Sequence, residues 1–387
     1  MGPGSTKTPI NVMLPAIQTA ASADTSSARQ AYIDVKVEGT SIAARVHTVE
    51  IEDNDRLIDK ATIVLDDPAG DGANVFIEGQ KVTVDMGWME EYATLFEGQI
   101  KNPENQTSGG SGHQNKIVAF DLSDLLMRGQ PKTRNLTGKL SAILALILGD
   151  YSAITADPAN IKPDPDKEFT APPLRQVNRL DWQFIQDQAE QFGARAFVEY
   201  NNGKSQFYWV SEKQLLSGDP MGQLHYCPGF SELIEFKYQR VASGASARQG
   251  ATTVDPKTGD ALIAPTPPAA PSETLTGPVT SPTSTPDDQR PVNTAVGLPS
   301  DPDPTQQARP ADPTRTLGLY GQGTAVGNIN IRAKGKVTIK GIADWAEGDW
   351  YVRKATHVYT RKATQNGKLD AKGQGPSTYH TKFVVTR

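Results

Sequence analysis

The sequence of 387 residues contains one cysteine, Cys227, and five histidines. A single cysteine cannot form a disulfide within the chain, and so few thiol and imidazole groups cannot build a thiolate-rich zinc site. The longest apolar run, residues 142–148, is far shorter than the roughly 20 residues of a membrane-spanning helix. The first residues also lack the continuous apolar region of a secretory signal. We therefore expect a chain suited to a reducing compartment, with no membrane helix.

Motifs that carry a known catalytic geometry are absent as well. The sequence has no G-x-x-x-x-G-K-[ST], G-x-S-x-G, H-E-x-x-H or EF-hand spacing. The histidines at positions 47, 113, 225, 357 and 380 are too dispersed to indicate a catalytic triad. We predict that the protein is not an enzyme, and that it has no catalytic residue, no cofactor and no metal ligand. We attribute the acidic residues 50–55 to the chemistry of a turn.

One acidic group keeps an enzymatic alternative open. Asp344, Glu347 and Asp349 lie beside Trp345 and Trp350. Carboxyl groups next to aromatic rings can act as acid and base on a glycosidic bond, as in a cell-wall hydrolase. A solvated hairpin loop anchored by tryptophans explains the same pattern more simply.

The basic residues are unevenly distributed. The chain has 39 Lys and Arg against 44 Asp and Glu, a net charge of −5, yet residues 332–387 contain 12 basic and four acidic residues. Such a concentration can mark a surface for nucleic acid or for an acidic partner. A carbohydrate- or nucleic-acid-binding module is therefore a second alternative, and a β-domain whose solvent-exposed face is rich in lysine is the simpler interpretation.

Composition divides the chain into ordered and extended parts. Residues 1–30 lack aromatic side chains and indicate a flexible N-terminal arm. Fourteen of the 28 prolines lie between positions 256 and 313, and no aromatic residue occurs from 239 to 319. Such a stretch buries too little apolar surface to offset the entropy of ordering, so residues 242–316 are predicted to be a Pro/Thr/Ser-rich linker or extended loop.

Two regions have the alternating pattern of half-buried strands. Apolar and polar residues alternate repeatedly between positions 31 and 122, which predicts a half-buried antiparallel sheet or barrel as the first domain, residues 31–125. Predicted strands at 233–238, 328–333, 336–340, 351–359 and 379–385 indicate a final β-rich domain, made of residues 226–241 and 317–387.

The residues between these regions predict a small α+β domain, 126–225. Leu140, Ile143, Leu144 and Ile147 form a helical stripe that begins near Thr137. A second helix is expected to be capped by Asn178 or Asp181 and to stop at Gly193, because glycine suits a left-handed position just after a helix. Residues 194–200 and 205–210 flank an Asn-Asn-Gly-Lys turn and predict a hairpin. The predicted fold class is mainly β, α+β overall.

Three stretches together resemble the late control D family, the baseplate hub proteins of contractile phage tails. The first is GQKVTVDMGW at 79–88 with LFEGQI at 95–100. The second is GKLSAIL at 138–144, then QVNRLDWQFI at 176–185 and AEQFGA at 189–194, with Leu180 where serine is common. The third is GDWYVRKATH at 348–357 with the strand at 379–386. The segment 317–350 is shorter than in the family.

The resemblance implies two tail-tube-like antiparallel β-barrel domains with an inserted α+β domain. It implies a structural baseplate hub, a homotrimer that joins a sixfold tail tube to a threefold central spike, and that contacts the tape measure protein and the baseplate wedge proteins. The hub would be assembled in the cytoplasm of a host bacterium and would reside in the tail baseplate of the virion, or in a related injection system. The interface residues that we predict are Val82, Val84, Trp88, Phe96, Ile100, Arg353 and Lys354.

Overall fold

The computed structural model describes residues 30–67, 70, 72–108, 112–228, 231–240, 248–254, 261–263, 292–296, 318–361 and 377–387. The predicted arm lies outside the described residues except for Gln30, and so does most of the predicted linker. None of the helices among the described residues has both the length and the apolarity of a membrane span.

The first β unit consists of seven strands and one short helix. They are β1 Ala31–Val37, β2 Thr40–Ser41, β3 Val46–Asn54, β4 Lys60–Asp66, α1 Gly72–Val75, β5 Lys81–Trp88, β6 Glu91–Ser108 and β7 Gly112–Asp121. Every second residue of β1 and of β4 is buried, as the alternation of apolar side chains predicts. The buried residues form one apolar core, to which Ile329, Tyr359 and Tyr379 from the end of the chain also belong.

The α+β unit follows. Its elements are β8 Lys132–Lys139, α2 Leu140–Leu148, β9 Glu168–Arg179, α3 Asp181–Gln191, β10 Ala194–Asn201, β11 Lys204–Ser211 and α4 Glu212–Ser217. The predicted stripe on α2 is confirmed, since Leu140, Ile143, Leu144 and Ile147 are all buried. The predicted hairpin is also confirmed: Asn202 and Gly203 both adopt positive φ in the turn between β10 and β11.

The helix starts differ from the predicted ones. Helix α2 begins at Leu140 and not near Thr137, because β8 continues to Lys139 and pairs there with Glu168. Helix α3 begins at Asp181, but neither this residue nor Asn178 caps it: the Gln183 side chain accepts a bond from the Leu180 amide instead. Its predicted left-handed stop at position 193 is confirmed by a φ of 59°.

The second β unit comprises β12 Gly222–His225, β13 Leu233–Arg240, β17 Leu319–Val326, β18 Lys336–Lys340, β19 Gly348–Arg361 and β20 Ser377–Thr386. Between them, β14 Arg248–Val254, β15 Ala261–Ile263 and β16 Val292–Val296 form a separate three-stranded sheet. The predicted linker therefore contains regular strands that its composition did not indicate.

The predicted strand at 328–333 is wrong. These residues form a loop in which the Asn328 side chain accepts a hydrogen bond from the Asn330 amide at 2.9 Å, a typical turn contact. The alternating Ile329, Ile331 and Ala333 are all buried, so they imitate the pattern of a strand without taking part in a β-ladder. This loop, residues 327–335, carries two charged side chains into the interior.

One mainly antiparallel sheet joins the two β units. Its strand order is β13-β17-β20-β19-β3-β4-β7-β6-β5-β1-β2, and β18 with β12 branches from β19. The units meet where β3 pairs with β19, for example at Ile51 and His357. The α+β unit packs beside this junction, where the Ser205 hydroxyl donates to Glu97 at 2.8 Å. The β-rich fold class is confirmed, whereas the predicted domain boundaries stay predictions.

Candidate functional site

Six charged side chains meet in the interior where the three units join. Each is at most 7% exposed, although charged side chains are seldom buried. The first β unit supplies three, the α+β unit one, and the loop 327–335 two: Asp53, Asp59, Asp121, Glu199, Arg332 and Lys334. We call this group the junction cluster.

Lys334 lies at the centre of the junction cluster. Its ammonium nitrogen, Nζ, is 2.6 Å from Asp53 Oδ1, 2.9 Å from Glu199 Oε1 and 3.4 Å from Asp59 Oδ2. It also donates a hydrogen bond to the carbonyl oxygen of Asn54 at 2.9 Å and lies 5.1 Å from the centre of the Phe197 ring. The ammonium group is thus surrounded by oxygen atoms and one aromatic face.

Arg332 makes a second bridge between the same units. Its Nε donates to Asp53 Oδ2 at 2.7 Å, and its Nη2 donates to Glu199 Oε2 at 2.8 Å. The backbone amide of Ala333 donates to the same Asp53 oxygen at 3.0 Å. One loop of the second β unit therefore links a carboxylate of the first β unit to a carboxylate of the α+β unit.

The remaining carboxyl groups continue the junction cluster through backbone amides. Asp59 Oδ1 accepts from the Asn54 amide at 2.8 Å, and the Asp59 amide donates to Asp121 Oδ2 at 2.6 Å. The other oxygen of Asp121 accepts from the Ser123 amide. The junction cluster therefore contains four carboxyl groups and two cationic groups.

The pKa values reflect this imbalance. Burial alone would raise the pKa of Asp53, but the charges of Lys334 and Arg332 hold it well below its usual range. Burial raises the pKa of Asp59 well above its usual range, because the opposing effect of Lys334 is offset by the neighbouring carboxylates. Burial also raises the pKa of Asp121 to about 6, against the hydrogen bonds from Ser123 and Asp59.

The pKa values of two basic residues of this region, Lys334 and His357, are also shifted, one upward and one downward. Burial alone would lower the pKa of Lys334, but Asp53, Asp59 and Glu199 raise it well above its usual range. Burial together with the nearby charge of Arg332 lowers the pKa of His357 to about 3, so this imidazole is neutral at pH 7. His357 Nδ1 lies 2.7 Å from the hydroxyl of Tyr379.

The junction cluster includes three carboxylates close enough to hold a metal ion. One oxygen each of Asp53, Asp59 and Glu199 lies within 4.8 Å of the others, and no second such group occurs in the part of the chain that the structure describes. The ammonium group of Lys334 lies among these oxygens. The attribution of residues 50–55 to turn chemistry is wrong for Asp53, which lies within β3 and is buried.

Residues of the family-like stretch around α3 have a structural role. Asp181 accepts hydrogen bonds from Gln176 at 2.9 Å and from the Tyr151 hydroxyl at 2.7 Å, and it pairs with Lys132 at 2.6 Å. Burial alone would raise the pKa of Asp181, but these partners, Lys132 foremost, lower it. The glutamine and the aspartate of this stretch therefore attach β9 to the start of α3.

Four of the seven predicted interface residues lie in the core. Val82, Val84, Phe96 and Ile100 belong to the apolar core of the first β unit, and each is at most 3% exposed. Their side chains are not available to a partner in this structure, so a contact through the β5–β6 hairpin would use the intervening residues. The role of this hairpin as an interface stays a prediction.

The other three predicted interface residues are partly exposed. The Trp88 indole packs against Tyr379 and donates to the Gly327 carbonyl oxygen at 2.7 Å. Lys354 pairs with Glu52 of β3, and the Arg353 carbonyl oxygen accepts from the Asp55 amide at 3.0 Å. These residues connect the two β units within the chain, and a further role toward a partner stays a prediction.

The acidic group that suggested a hydrolase forms a turn between β18 and β19. Glu347 Oε1 accepts from the Gly341 amide at 2.6 Å, and Asp349 Oδ1 accepts from the Thr338 hydroxyl at 2.7 Å. Trp350 is fully buried and donates to the Ala346 carbonyl oxygen at 2.9 Å. These contacts fit the predicted loop anchored by tryptophan, and they occupy an oxygen of Glu347 and of Asp349, whereas Asp344 is exposed.

The basic end of the chain is not simply a solvent-exposed face. Nine of its twelve basic residues lie in the part of the chain that the structure describes, and five of these nine are buried. They are Arg332, Lys334, Lys336, Arg361 and Arg387. The guanidinium group of Arg361 donates to the carbonyl oxygens of Ala43 and Ala44 in the first β unit at 2.7 and 2.8 Å. The interpretation of this basic excess as surface lysine is therefore wrong for these five residues.

Solved structures share this fold, although no protein-family model and no curated protein sequence matches the chain. A tail protein from Neisseria meningitidis MC58 superposes with a TM-score of 0.57 at 12% identity, over 92% of this chain and 96% of that one. The 43 kDa tail protein of prophage MuSo2 from Shewanella oneidensis gives 0.53 at 11% identity, over 93% and 97%. A component of the type VI secretion system of E. coli gives 0.51 at 10%, over 91% and 76%. The chain therefore has the β-rich fold of these tail proteins.

Proposed function

We propose that the chain is a structural hub protein of a contractile phage tail or of a related injection apparatus. The observation that carries the proposal is the near-complete match to two tail proteins, which covers more than nine-tenths of this chain and of each of those chains. A match of that extent includes both β units and the α+β unit, so the likeness is not confined to one common motif.

The interior of the molecule supports a structural role. The junction cluster links the two β units and the α+β unit to one another and is closed to solvent. A substrate site, in contrast, is concave and open. In the acidic turn between β18 and β19, the side chains of Glu347 and Asp349 likewise accept hydrogen bonds from within the chain. Function would then reside in the outer surfaces and in assembly.

The assembly that we propose is a homotrimer. Three chains with two tube-like β units each would present six similar units to a sixfold tail tube, and one threefold axis to a central spike. In this arrangement the partners are the tail tube protein, the spike protein, the tape measure protein and the baseplate wedge proteins. The protein would be located in the tail baseplate of the virion. The exposed residues of the β5–β6 hairpin, together with Arg353 and Lys354, are proposed contacts.

Solution mass tests the proposal directly. Light scattering behind size exclusion should give about 125 kDa for the trimer, three times the chain mass of 41.7 kDa. If the purified chain is a monomer, co-expression with the spike protein of the same tail should yield a complex with three hub chains. A monomer that forms no complex with either the spike or the tube protein would contradict the proposal.

A further inference from the structure

The space between Asp53, Asp59 and Glu199 has the chemistry of a cation site. Three carboxylate oxygens converge there within 4.8 Å of one another, and carboxylate and carbonyl oxygens are the ligands that hard cations prefer. The site is shared, because the first β unit contributes two carboxylates, one from β3 and one from the turn between β3 and β4, and the α+β unit contributes the third. Neither unit alone supplies all three.

The ammonium group of Lys334, a cation that belongs to the chain itself, occupies this space. The Lys334 ammonium group has four oxygen neighbours within 3.4 Å, one of them the Asn54 carbonyl oxygen, and its side chain is 1% exposed. The backbone that carries it is held in place, since the Lys334 amide donates to the Val352 carbonyl oxygen at 3.0 Å. The residue also has a φ of 64°, a conformation that is uncommon for residues with a Cβ atom.

We infer that Lys334 is a tethered counter-ion: its ammonium group fills a cation site built jointly by the first β unit and the α+β unit, and it thereby attaches both to the second β unit. This inference concerns the integrity of the single chain and does not depend on the proposed function. Without the ammonium group, Arg332, which pairs with Asp53 and Glu199, would be the remaining cation for the four carboxyl groups of the junction cluster. Removing one partner from a buried charge group leaves the others uncompensated.

The first test compares two buried lysines that lie two residues apart. Lys334→Met keeps an apolar chain of similar length but removes the charge that faces three carboxylates. Lys336→Met is the matched control, because Lys336 is also buried and its Nζ lies 3.5 Å from Asp349. We expect Lys334→Met to lower the Tm by about 10 °C and the control to lower it clearly less. Equal losses would contradict the inference.

Chemical rescue tests whether the vacated space is a cation site. Lys334→Gly removes the side chain, and glycine accepts the left-handed backbone without strain. We expect methylammonium chloride to raise the Tm of this variant with increasing concentration, relative to tetramethylammonium chloride at the same ionic strength, which is too large and has no N–H group. Lys336→Gly should show no such difference. An equal response of Lys334→Gly to both salts would overturn the inference.

A double variant covers the case in which the single variants do not fold. Lys334→Met with Glu199→Gln removes one positive and one negative charge together. We expect it to fold even if Lys334→Met does not and, if Lys334→Met folds, to recover part of the Tm that this variant loses, because one uncompensated carboxylate is gone. If the double variant is as unstable as the sum of the single variants, or does not fold, the charge compensation assigned to Lys334 is refuted.

Discussion

Trp88 donates its indole N–H to the carbonyl oxygen of Gly327 at 2.7 Å, across 239 residues of sequence. The same indole lies 5.6 Å from the Tyr379 ring, measured between ring centres. One side chain at the end of β5 therefore contacts both the loop 327–335 and the last strand.

Trp88→Phe should destabilise the chain moderately. Phenylalanine keeps an aromatic ring beside Tyr379 but cannot donate to Gly327, and a lost hydrogen bond of this kind costs about 1 kcal/mol. Denaturant unfolding measures the change in the free energy of unfolding. Trp345→Phe is the control, since Trp345 contacts Tyr238 within the second β unit. If Trp88→Phe is as stable as the unmodified chain, the bond makes no net contribution.

Gly327→Ala should lower the free energy of unfolding more than the addition of a single methyl group suggests. A Cβ atom at position 327 would lie 2.0 Å from Cδ1 of the buried Tyr379 ring, so the ring or the loop must move. Overpacking of this kind costs about 1–3 kcal/mol. Gly222→Ala is the matched control, because its nearest neighbours would be 4.0 Å away. Equal unfolding free energies for the two variants would show that the loop has more room than the structure indicates.

His357 should make the fold sensitive to acid. Its pKa of about 3 in the folded chain is below the value of about 6.5 expected when unfolded, so the unfolded state binds the proton more readily. The stability from this residue is complete above pH 6.5 and is lost as the pH falls toward 3, with a slope of up to about 1.4 kcal/mol per pH unit.

His357→Gln should remove this slope, whereas His380→Gln, a partly exposed histidine on the neighbouring strand, should retain it. The measurement is the free energy of unfolding at a series of pH values between 4 and 7. Parallel curves for His357→Gln and the unmodified chain would contradict the assignment. Imidazole NMR signals of His357 should also stay in the neutral form down to pH 4.

Asp121 should act in the opposite sense. Its folded pKa of about 6 lies above the value of about 3.9 for an unfolded aspartate, so its favourable contribution is complete below pH 4 and is lost as the pH rises through 6. Carbon-13 NMR of the side-chain carboxyl should show the midpoint directly.

Asp121→Asn should be less stable at every pH, because asparagine has one acceptor oxygen for the amides of Asp59 and Ser123. The part of the pH dependence that belongs to Asp121 should vanish in this variant. Asp124→Asn, a nearby residue that pairs with Arg128, serves as control and should keep that dependence. A midpoint near 4 for Asp121 would refute the effect of burial.

Local patterns predicted the regular elements well. Three of these patterns depend only on residues that are close in sequence, so they can be recognised from the sequence. They are the alternation in β1 and β4, the apolar stripe of α2, and the Asn-Gly turn between β10 and β11. The helix starts were less predictable, since β8 extends into the expected first turn of α2 through pairing with β9.

The junction cluster could not be predicted, because its contacts have no local signal. Lys334 and Asp53 are 281 residues apart, and Arg332 and Glu199 are 133 apart. The loop that carries both basic residues has the alternating apolar pattern of a strand. The sequence therefore did not indicate that this segment is a loop that enters the interior. Sequence patterning likewise identified β5 and β6 but not which of their side chains remain exposed.

The pairing of β3 with β19 determines when the first β unit can be completed. Its core includes Tyr359 and Tyr379, which a ribosome adds hundreds of residues after β3. The α+β unit has strand pairs that are close in sequence, β8 with β9 and β10 with β11, so it can form while the chain is still being made. The nascent first β unit therefore keeps the edge of β3 unpaired, and its core lacks these two tyrosines, until β19 and β20 emerge.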